Sequence, residues 1–248
     1  MSCRRFRLVM ACSALAVCRL AGTAALAQDG TPPAPQAEYH WLVTASLGTT
    51  SSGPAGDIEQ AMRAAGFGAT MPGFGDPVEH PFSRTGNGEI GTIWMLAAHR
   101  TVAPRLLVGV TASDAPIGAT YGWHNPYLSL GLQYSVATVA PTVSYKLSNA
   151  VRLGAGPAVY RTEVRQERAE GGFLATQSAT RVGALAELGV SLPADSRVCV
   201  ALSLQYRWVG HVTVGPFEST LNQFSATLPA TSVSFDHFFF GVGVGVRL

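Results

Sequence analysis

Apolar residues alternate with small or polar ones along the stretch 236–248. One face of this segment holds Phe238, Phe240, Val242, Val244, Val246 and Leu248. The other face holds His237, Arg247 and three glycines, and Phe239 alone breaks the alternation. A period of two predicts a β-strand. Glycines weaken an ordinary strand, whereas a narrow membrane barrel needs an apolar outside and leaves room inside for glycine and arginine.

Similar patterns predict seven more strands. Their ranges are 39–47, 89–98, 105–113, 127–145, 151–161, 179–192 and 197–210. The facing of the second is ambiguous, because Ile93 and Met95 alternate with Trp94 and Leu96. The fourth exceeds the about 9–11 residues of one crossing and changes phase near Ala137, which predicts a bulge there, with its upper part outside the membrane.

The connections between these strands alternate between long and short, beginning with the long stretch 49–88, where 57–65 has the spacing of a short helix. We therefore expect an all-β, eight-stranded antiparallel up-and-down transmembrane β-barrel with both termini at the end that carries the short turns. In outer-membrane barrels this end is periplasmic, so four long loops would be extracellular. A soluble ligand-binding barrel would turn its apolar face inward, and the inward arginines and glycines argue against it. Pro141 and Pro157 each delete a ladder hydrogen bond, for which we expect a local bulge.

The amino-terminal segment 1–27 begins with Arg4, Arg5 and Arg7, continues with an apolar run and ends with the small residues Ala25-Leu26-Ala27. This is the pattern of a cleaved secretory signal peptide. Residues 28–37 contain three prolines and predict an extended tether, which leaves 38–248 for the barrel. Three of the four cysteines lie in the leader, so Cys199 would have no internal disulfide partner.

Charge and composition narrow the class. The leader holds four of the 17 basic and none of the 15 acidic residues, so the exported chain would have 13 against 15. That near-neutral balance excludes nucleic acid as a partner. Only 13% of residues are charged, yet no window after the leader offers the ~20 apolar residues of a membrane helix. A closed barrel is the other way to satisfy backbone groups in lipid.

The last strand and the run from Arg152 to Pro157 resemble the small eight-stranded bacterial outer-membrane barrels of the OmpA-transmembrane, OmpX and opacity-protein type. The resemblance implies a monomer in the bacterial outer membrane, in contact with lipid and lipopolysaccharide. It also implies that the barrel-assembly machinery reads the alternating carboxy-terminal strand as an insertion signal, with Leu248 where the family ends on an aromatic residue.

Charged residues on the inward faces form the most informative candidate site. They are Arg152, Arg181, Glu187, Arg207 and Arg247. Their expected role is an internal structural network in which Glu187 compensates the arginines, with Arg152 as a partner. The alternative is a lumen constriction that selects anions.

Enzymatic candidates are weaker. His211 and Thr213 with Glu218 faintly resemble the His, Ser and Glu of lipid A deacylases, but threonine replaces the nucleophile. Asp236-His237 invites comparison with omptin proteases, without a second acidic pair. The six histidines lack metal-ligand spacing. We therefore expect no enzyme activity, no cofactor and no metal site.

Two functions remain open at this stage. One is a non-enzymatic barrel that anchors the envelope and displays its loops for adhesion or interaction, with Arg168 and Phe217 exposed on them. The other is a narrow channel for small or apolar solutes. A lipid-modifying barrel enzyme is a third and weaker possibility.

Overall fold

In a computed structural model, residues 39–50, 55–65, 83–85, 92–117, 119–124, 129–167, 172–221 and 224–248 are described. The predicted leader and tether, and Arg168, lie outside these ranges. Among the described helices, none is both long and apolar enough to cross a membrane.

Eight antiparallel strands close into a barrel. They are β1 (Trp41–Thr50), β3 (Thr92–Ala103), β4 (Leu106–Ile117), β6 (Ser129–Lys146), β7 (Val151–Glu167), β8 (Phe173–Leu192), β9 (Val198–Trp208) and β14 (His237–Arg247). Each pairs with the next along the chain, and β14 pairs with β1 to close the ring. The predicted up-and-down barrel is confirmed. We call the end with the short β3–β4, β6–β7 and β8–β9 connections the turn end and the opposite end the loop end.

The outward face of the barrel is apolar. Its exposed residues include Val43, Leu47, Leu96, Val108, Val110, Val139, Val143, Leu153, Val159, Val200, Val242 and Val244. On β3, Trp94 and Leu96 face outward whereas Ile93 and Met95 are buried, which resolves the ambiguous strand. A continuous apolar exterior around a closed backbone is what lipid requires.

The predicted bulge near Ala137 is wrong. Burial along β6 alternates without a break, and its pairing with β7 keeps one register. What changes near Ala137 is the type of residue on the inward face. Inward side chains are apolar between Ala137 and the loop end, and most of them carry hydroxyl groups between Ala137 and the turn end. The irregularity lies on the neighbouring chain segment, because Ser113 pairs with Thr138 but Ala119 pairs with Tyr134.

The two strand prolines produce a gap in the ladder and no register shift, so the expected bulges are also wrong. Pairing between β6 and β7 stops after Val139–Val159 and resumes at Val143–Ala155 in the same register. That register places Pro141 opposite Pro157. A Cβ on Gly156 would lie 1.9 Å from the Pro141 carbonyl oxygen, so only glycine fits beside this proline pair. The two missing donors therefore share one interruption.

Beyond the barrel, the longest strands continue as a sheet. It consists of β2 (Ser83–Thr85), β5 (Ala119–His124) and the upper parts of β6, β7 and β8. Strands β6, β7 and β8 have 18, 17 and 20 residues, against 11 for β9 and β14. We call this the projecting sheet. Much of the predicted long loops is therefore strand.

The remaining loop segments fold over the loop end. Helix α1 (Ala55–Ala64) matches the predicted short helix, with Asp57 in its first turn and Arg63 in its last, each suited to the helix dipole. Strands β10 (His211–Val214) and β13 (Thr231–Ser234) form one pair, and β11 (Phe217–Leu221) and β12 (Phe224–Leu228) form another.

Candidate functional site: the barrel interior

The interior has two zones of different chemistry. At the turn half, buried side chains are mostly hydroxyls: Thr44, Ser46, Thr111, Ser113, Thr142, Ser144, Ser191 and Ser203. At the loop half, one apolar cluster joins β6, β7, α1 and strands β10 to β13. We call this cluster the plug. The buried polar groups of the turn half need hydrogen-bond partners inside the barrel, whereas the apolar plug needs none.

A chain of buried charged and polar groups crosses the barrel between the zones. The guanidinium of Arg152 donates to Glu187 Oε1 at 2.6 Å, and Gln205 Nε2 donates to Glu187 Oε2 at 3.1 Å. Arg207 then donates through Nε (3.0 Å) and a terminal nitrogen (2.7 Å) to Gln205 Oε1, and at 3.4 Å to the hydroxyl of Thr138. Two arginines thus share one carboxylate, with Gln205 as the relay.

Phe239 packs against the Arg207 end of this chain. Its ring is fully buried, and the Arg207 guanidinium carbon lies 4.8 Å from the ring centroid, within cation–π range. The ring occupies space left by two glycines, since a Cβ on Gly48 or Gly241 would come within 2.4 or 2.6 Å of it. The break in the alternation of the last strand is therefore an inward aromatic residue seated on glycine.

The plug is held by specific polar contacts as well as by apolar packing. Asp57 of α1 accepts the Ser234 amide at 2.7 Å, while Ile58 and Met62 pack inward. Ser219 exchanges two hydrogen bonds with the backbone of Ser129, at 3.1 and 2.9 Å. Phe217, expected on the surface, is buried within the plug. The described loop segments therefore form a folded cap.

The structure places the five predicted lumen residues in three environments. Arg152, Glu187 and Arg207 belong to the buried chain. Arg247 lies at the turn end, where it donates to the carbonyl oxygens of Pro193 (3.0 Å) and Ser196. Arg181 is exposed on the upper part of β8, opposite Tyr160, and does not join the chain.

Sequence reasoning missed Gln205 and Phe239 as members of the interior site. Gln205 lies on the inward face that the alternation of β9 assigns to it. The sequence therefore predicts its position inside the barrel but not its role as the link between Glu187 and Arg207. Phe239 was visible as the exception to the alternation. The gap that accepts Phe239 is formed by Gly48 and Gly241 on two strands, and no local pattern reveals it.

The enzymatic candidates are engaged elsewhere or lie apart. His211 and Thr213 are exposed on β10, whereas Glu218 is exposed on β11 of the other strand pair. Asp236 Oδ1 accepts the amides of Val209 and Gly210, both at 2.8 Å. His237 is buried with Nδ1 2.8 Å from the Phe235 carbonyl. Within the described ranges, no three His, Cys, Asp or Glu residues converge as a metal site, and Cys199 is a buried free thiol.

The lipid-facing surface carries aromatic residues near both ends. Trp41 and Tyr145 are exposed at the turn end, and Trp94, Trp208, Phe238 and Phe240 at the loop end. Aromatic rings favour the two membrane interfaces. The residues proposed as the insertion signal, Phe238, Phe240, Val242, Val244, Val246 and Leu248, all lie on this outward face.

A closed eight-stranded antiparallel barrel with an apolar exterior and buried charged groups inside defines a class: the chain is a small outer-membrane β-barrel protein. No family model matches the chain, and neither does any curated protein.

Solved structures similar to this chain are themselves outer-membrane proteins. The outer membrane protein OprG from Pseudomonas aeruginosa has 11% identity and a TM-score of 0.46, covering 85% of this chain and 96% of its own. Neisserial surface protein A has 11% identity and a TM-score of 0.39, covering 84% and 96%. Ail, the attachment invasion locus protein of Yersinia pestis, has 11% identity and a TM-score of 0.37, covering 83% and 99%, in a complex with the heparin analogue sucrose octasulfate. The class assignment rests on the barrel of the chain itself.

Proposed function

We propose that this protein is a non-enzymatic envelope anchor that displays the projecting sheet and the plug outside the cell, for adhesion or interaction. The observation that carries the proposal is the folded loop end. Tyr160, Arg207 and Phe239 are fully buried beneath it, and the described loop segments that fold over it contribute a helix and four short strands. A cap of this size offers a large surface for a partner and leaves the interior filled.

The proposal includes an orientation and a set of envelope partners. The first strand begins and the last strand ends at the turn end, which we assign to the periplasm, with the signal peptide removed on export. Arg161 and Arg181 are exposed just above the apolar band, where they suit the anionic groups of lipopolysaccharide. The barrel-assembly machinery would read the outward face of β14 during insertion.

Cysteine labelling of intact cells tests the display. A reagent that cannot cross the outer membrane should modify Thr176→Cys on the projecting sheet and miss Ser148→Cys in a turn, because both positions are exposed but lie at opposite ends. Labelling of Ser148→Cys alone would refute the orientation. A gain of binding to surfaces or other cells by cells expressing the chain, lost when the projecting sheet is shortened, would support adhesion.

A narrow channel remains the second candidate, and one observation favours it. In the turn half, the hydroxyls of Thr44, Ser46, Thr111 and Ser113 and the Arg152 Nε lack a hydrogen-bond partner among the described residues. Buried polar groups of this kind usually bind internal water. Conduction would require the layer of Arg207 and Phe239 to open. Planar-bilayer recording decides: steady single-channel conductance would favour the channel, and its absence the anchor.

A further inference from the structure

One edge of the upper part of β8 pairs with none of the described strands. β9 pairs with β8 only from Ala184 to Leu192, since β9 ends at Trp208 and the chain then turns towards the plug. Above Ala184, β8 pairs with β7 on one side, and no described strand pairs with the other side. We call residues 174–182 the free edge. It spans roughly 30 Å, at about 3.3 Å per residue.

The free edge lacks the features that usually block edge-to-edge pairing. It contains no proline and no glycine, and Arg181 is its single charged residue. Natural sheets protect long edges with charges, prolines, bulges or very short strands. The other edge of the projecting sheet is β2, which has only three residues. A long, uncharged and exposed edge is a template for another strand.

This edge is also held in place before any partner arrives. The side chain of Gln177 accepts the Gly215 amide at 2.8 Å, and the hydroxyl of Thr162 donates to the Ala179 carbonyl at 3.2 Å. Ala179 packs against the plug. The opposite face of the strand is open, with Leu174 52% and Val182 79% exposed. A fixed strand loses little conformational entropy when it pairs.

The sequence of the free edge is complementary to itself in one register. If two copies pair antiparallel with Ser178 opposite Ser178, Leu174 lies opposite Val182 and Thr176 opposite Thr180, each twice. All of these side chains share the exposed face. Arg181 meets Ala175, so no like charges oppose one another. Apolar and threonine cross-strand pairs are the favourable ones, and like charges the unfavourable ones.

We infer that the free edge of β8 binds the same edge of a second copy of this chain. The same edge of two identical strands can face itself in a regular ladder only when the strands run antiparallel, so the two barrels point in opposite directions. Such a pair joins two proteins that lie in two facing membranes. Within any one membrane, each protein would still be the expected monomer. This deepens the proposed display function, on which its cellular meaning rests, by naming the partner.

One ladder of nine residues is a small interface, so a single pair should be weak and short-lived. Many copies on two apposed membranes would strengthen it through multivalency. A covalent trap is therefore the suitable test. Opposite Cα atoms of antiparallel strands lie about 4.5–5.5 Å apart, within disulfide range. Two residues four positions out of register are separated by about 13 Å along the strands and cannot link.

The experiment uses the full chain, purified from outer membranes in detergent, with Cys199→Ser as background. Under mild oxidation, Ser178→Cys should form a disulfide-linked dimer. Thr176→Cys alone should remain at background, whereas an equal mixture of Thr176→Cys and Thr180→Cys should give the dimer. Absence of a dimer at Ser178→Cys, or equal linking at Ser178→Cys and Thr176→Cys, overturns the inference.

Charge variants test the same register across membranes. Ser178→Lys places two lysines opposite each other, so clustering of outer-membrane vesicles should be lost. Ser232→Lys, which adds the same charge to exposed β13, should cluster like the wild type. Mixing Ser178→Lys vesicles with Ser178→Glu vesicles should restore clustering, and failure of this rescue counts against edge pairing. If the detergent dimer forms but Thr176→Cys on intact cells resists labelling, the display orientation fails and the self-pairing stands.

Discussion

Replacement of Glu187 by leucine tests whether the buried chain of charges stabilises the barrel. Glu187 is 3% exposed and is the carboxylate that Arg152 and Gln205 both contact. Its loss leaves Arg152 and Arg207 as two buried positive charges without a counter-charge in the chain. Removing one partner of a buried ion pair costs about 3–5 kcal/mol, most of it the desolvation of the charge left behind.

The assay is urea unfolding of the refolded barrel in lipid, followed by tryptophan fluorescence and by heat-modifiable migration on gels. Glu163→Leu is the matched control. It breaks a contact between Glu163 and Arg165 whose side chains are 19% and 43% exposed, and such surface pairs contribute about 0–1 kcal/mol. The same chemical change should therefore cost several times more at Glu187.

The double variant Glu187→Leu, Arg152→Leu separates pairing from packing. If the cost arises from an uncompensated Arg152, removing Arg152 as well should recover part of it, with a coupling free energy of about 0.5–3 kcal/mol. If Glu187→Leu costs no more than Glu163→Leu, the reasoning is refuted. Water would then solvate the interior charges. This result would favour the channel function over an anchor with a filled interior.

Three further predictions concern the barrel wall, the inward aromatic residue and the boundary of the membrane. Val244→Arg should destabilise the folded barrel by about 2–4 kcal/mol, because it places a charge at the lipid midplane. Val244→Leu should fold with the wild-type yield. Equal folding yields of the two variants would refute the assigned outward facing of Val244. Gly241→Ala should lower the free energy of unfolding by about 1–3 kcal/mol, because the new methyl group displaces the Phe239 ring. Adding Phe239→Leu to the same chain should restore part of this stability. The control Gly56→Ala should be neutral or slightly stabilising, because its methyl group meets nothing within 4 Å. An impermeant thiol reagent should label Ser135→Cys, above the apolar band of β6, and leave Val143→Cys unmodified in intact cells, since Val143 lies in the band; equal labelling would move the membrane boundary.

The barrel could be predicted because its physics is local and repetitive. Lipid outside and a narrow lumen inside impose a period of two on each strand, and this pattern is visible in β9 and β14 without knowledge of their neighbours. The alternation of long and short connections then fixes the up-and-down order. Even the Arg152 partner of Glu187 follows, because one hairpin brings their strands side by side.

What the sequence did not reveal depends on contacts between distant strands. The change of residue type along β6 imitated a bulge, because apolar residues face the plug above Ala137 and lipid below it. Arg181 has the inward parity, but β8 rises above the barrel at that point, so its side chain meets solvent. Phe217 was expected to be exposed because it lies in a connection, and no local signal shows that this connection folds back as a cap.

The proline pair on β6 and β7 makes one part of the barrel wall less strongly hydrogen-bonded than the rest. Elsewhere the strands of the ring are joined by continuous ladders or by ladders with local shifts, but at Pro141 and Pro157 the described register runs through a stretch without rungs. When the circumference of the barrel changes, the two strands should separate first where no backbone hydrogen bonds join them. Thermal breathing of the barrel should therefore concentrate at this seam in the lipid-facing wall, next to Thr138, whose hydroxyl accepts a hydrogen bond from Arg207.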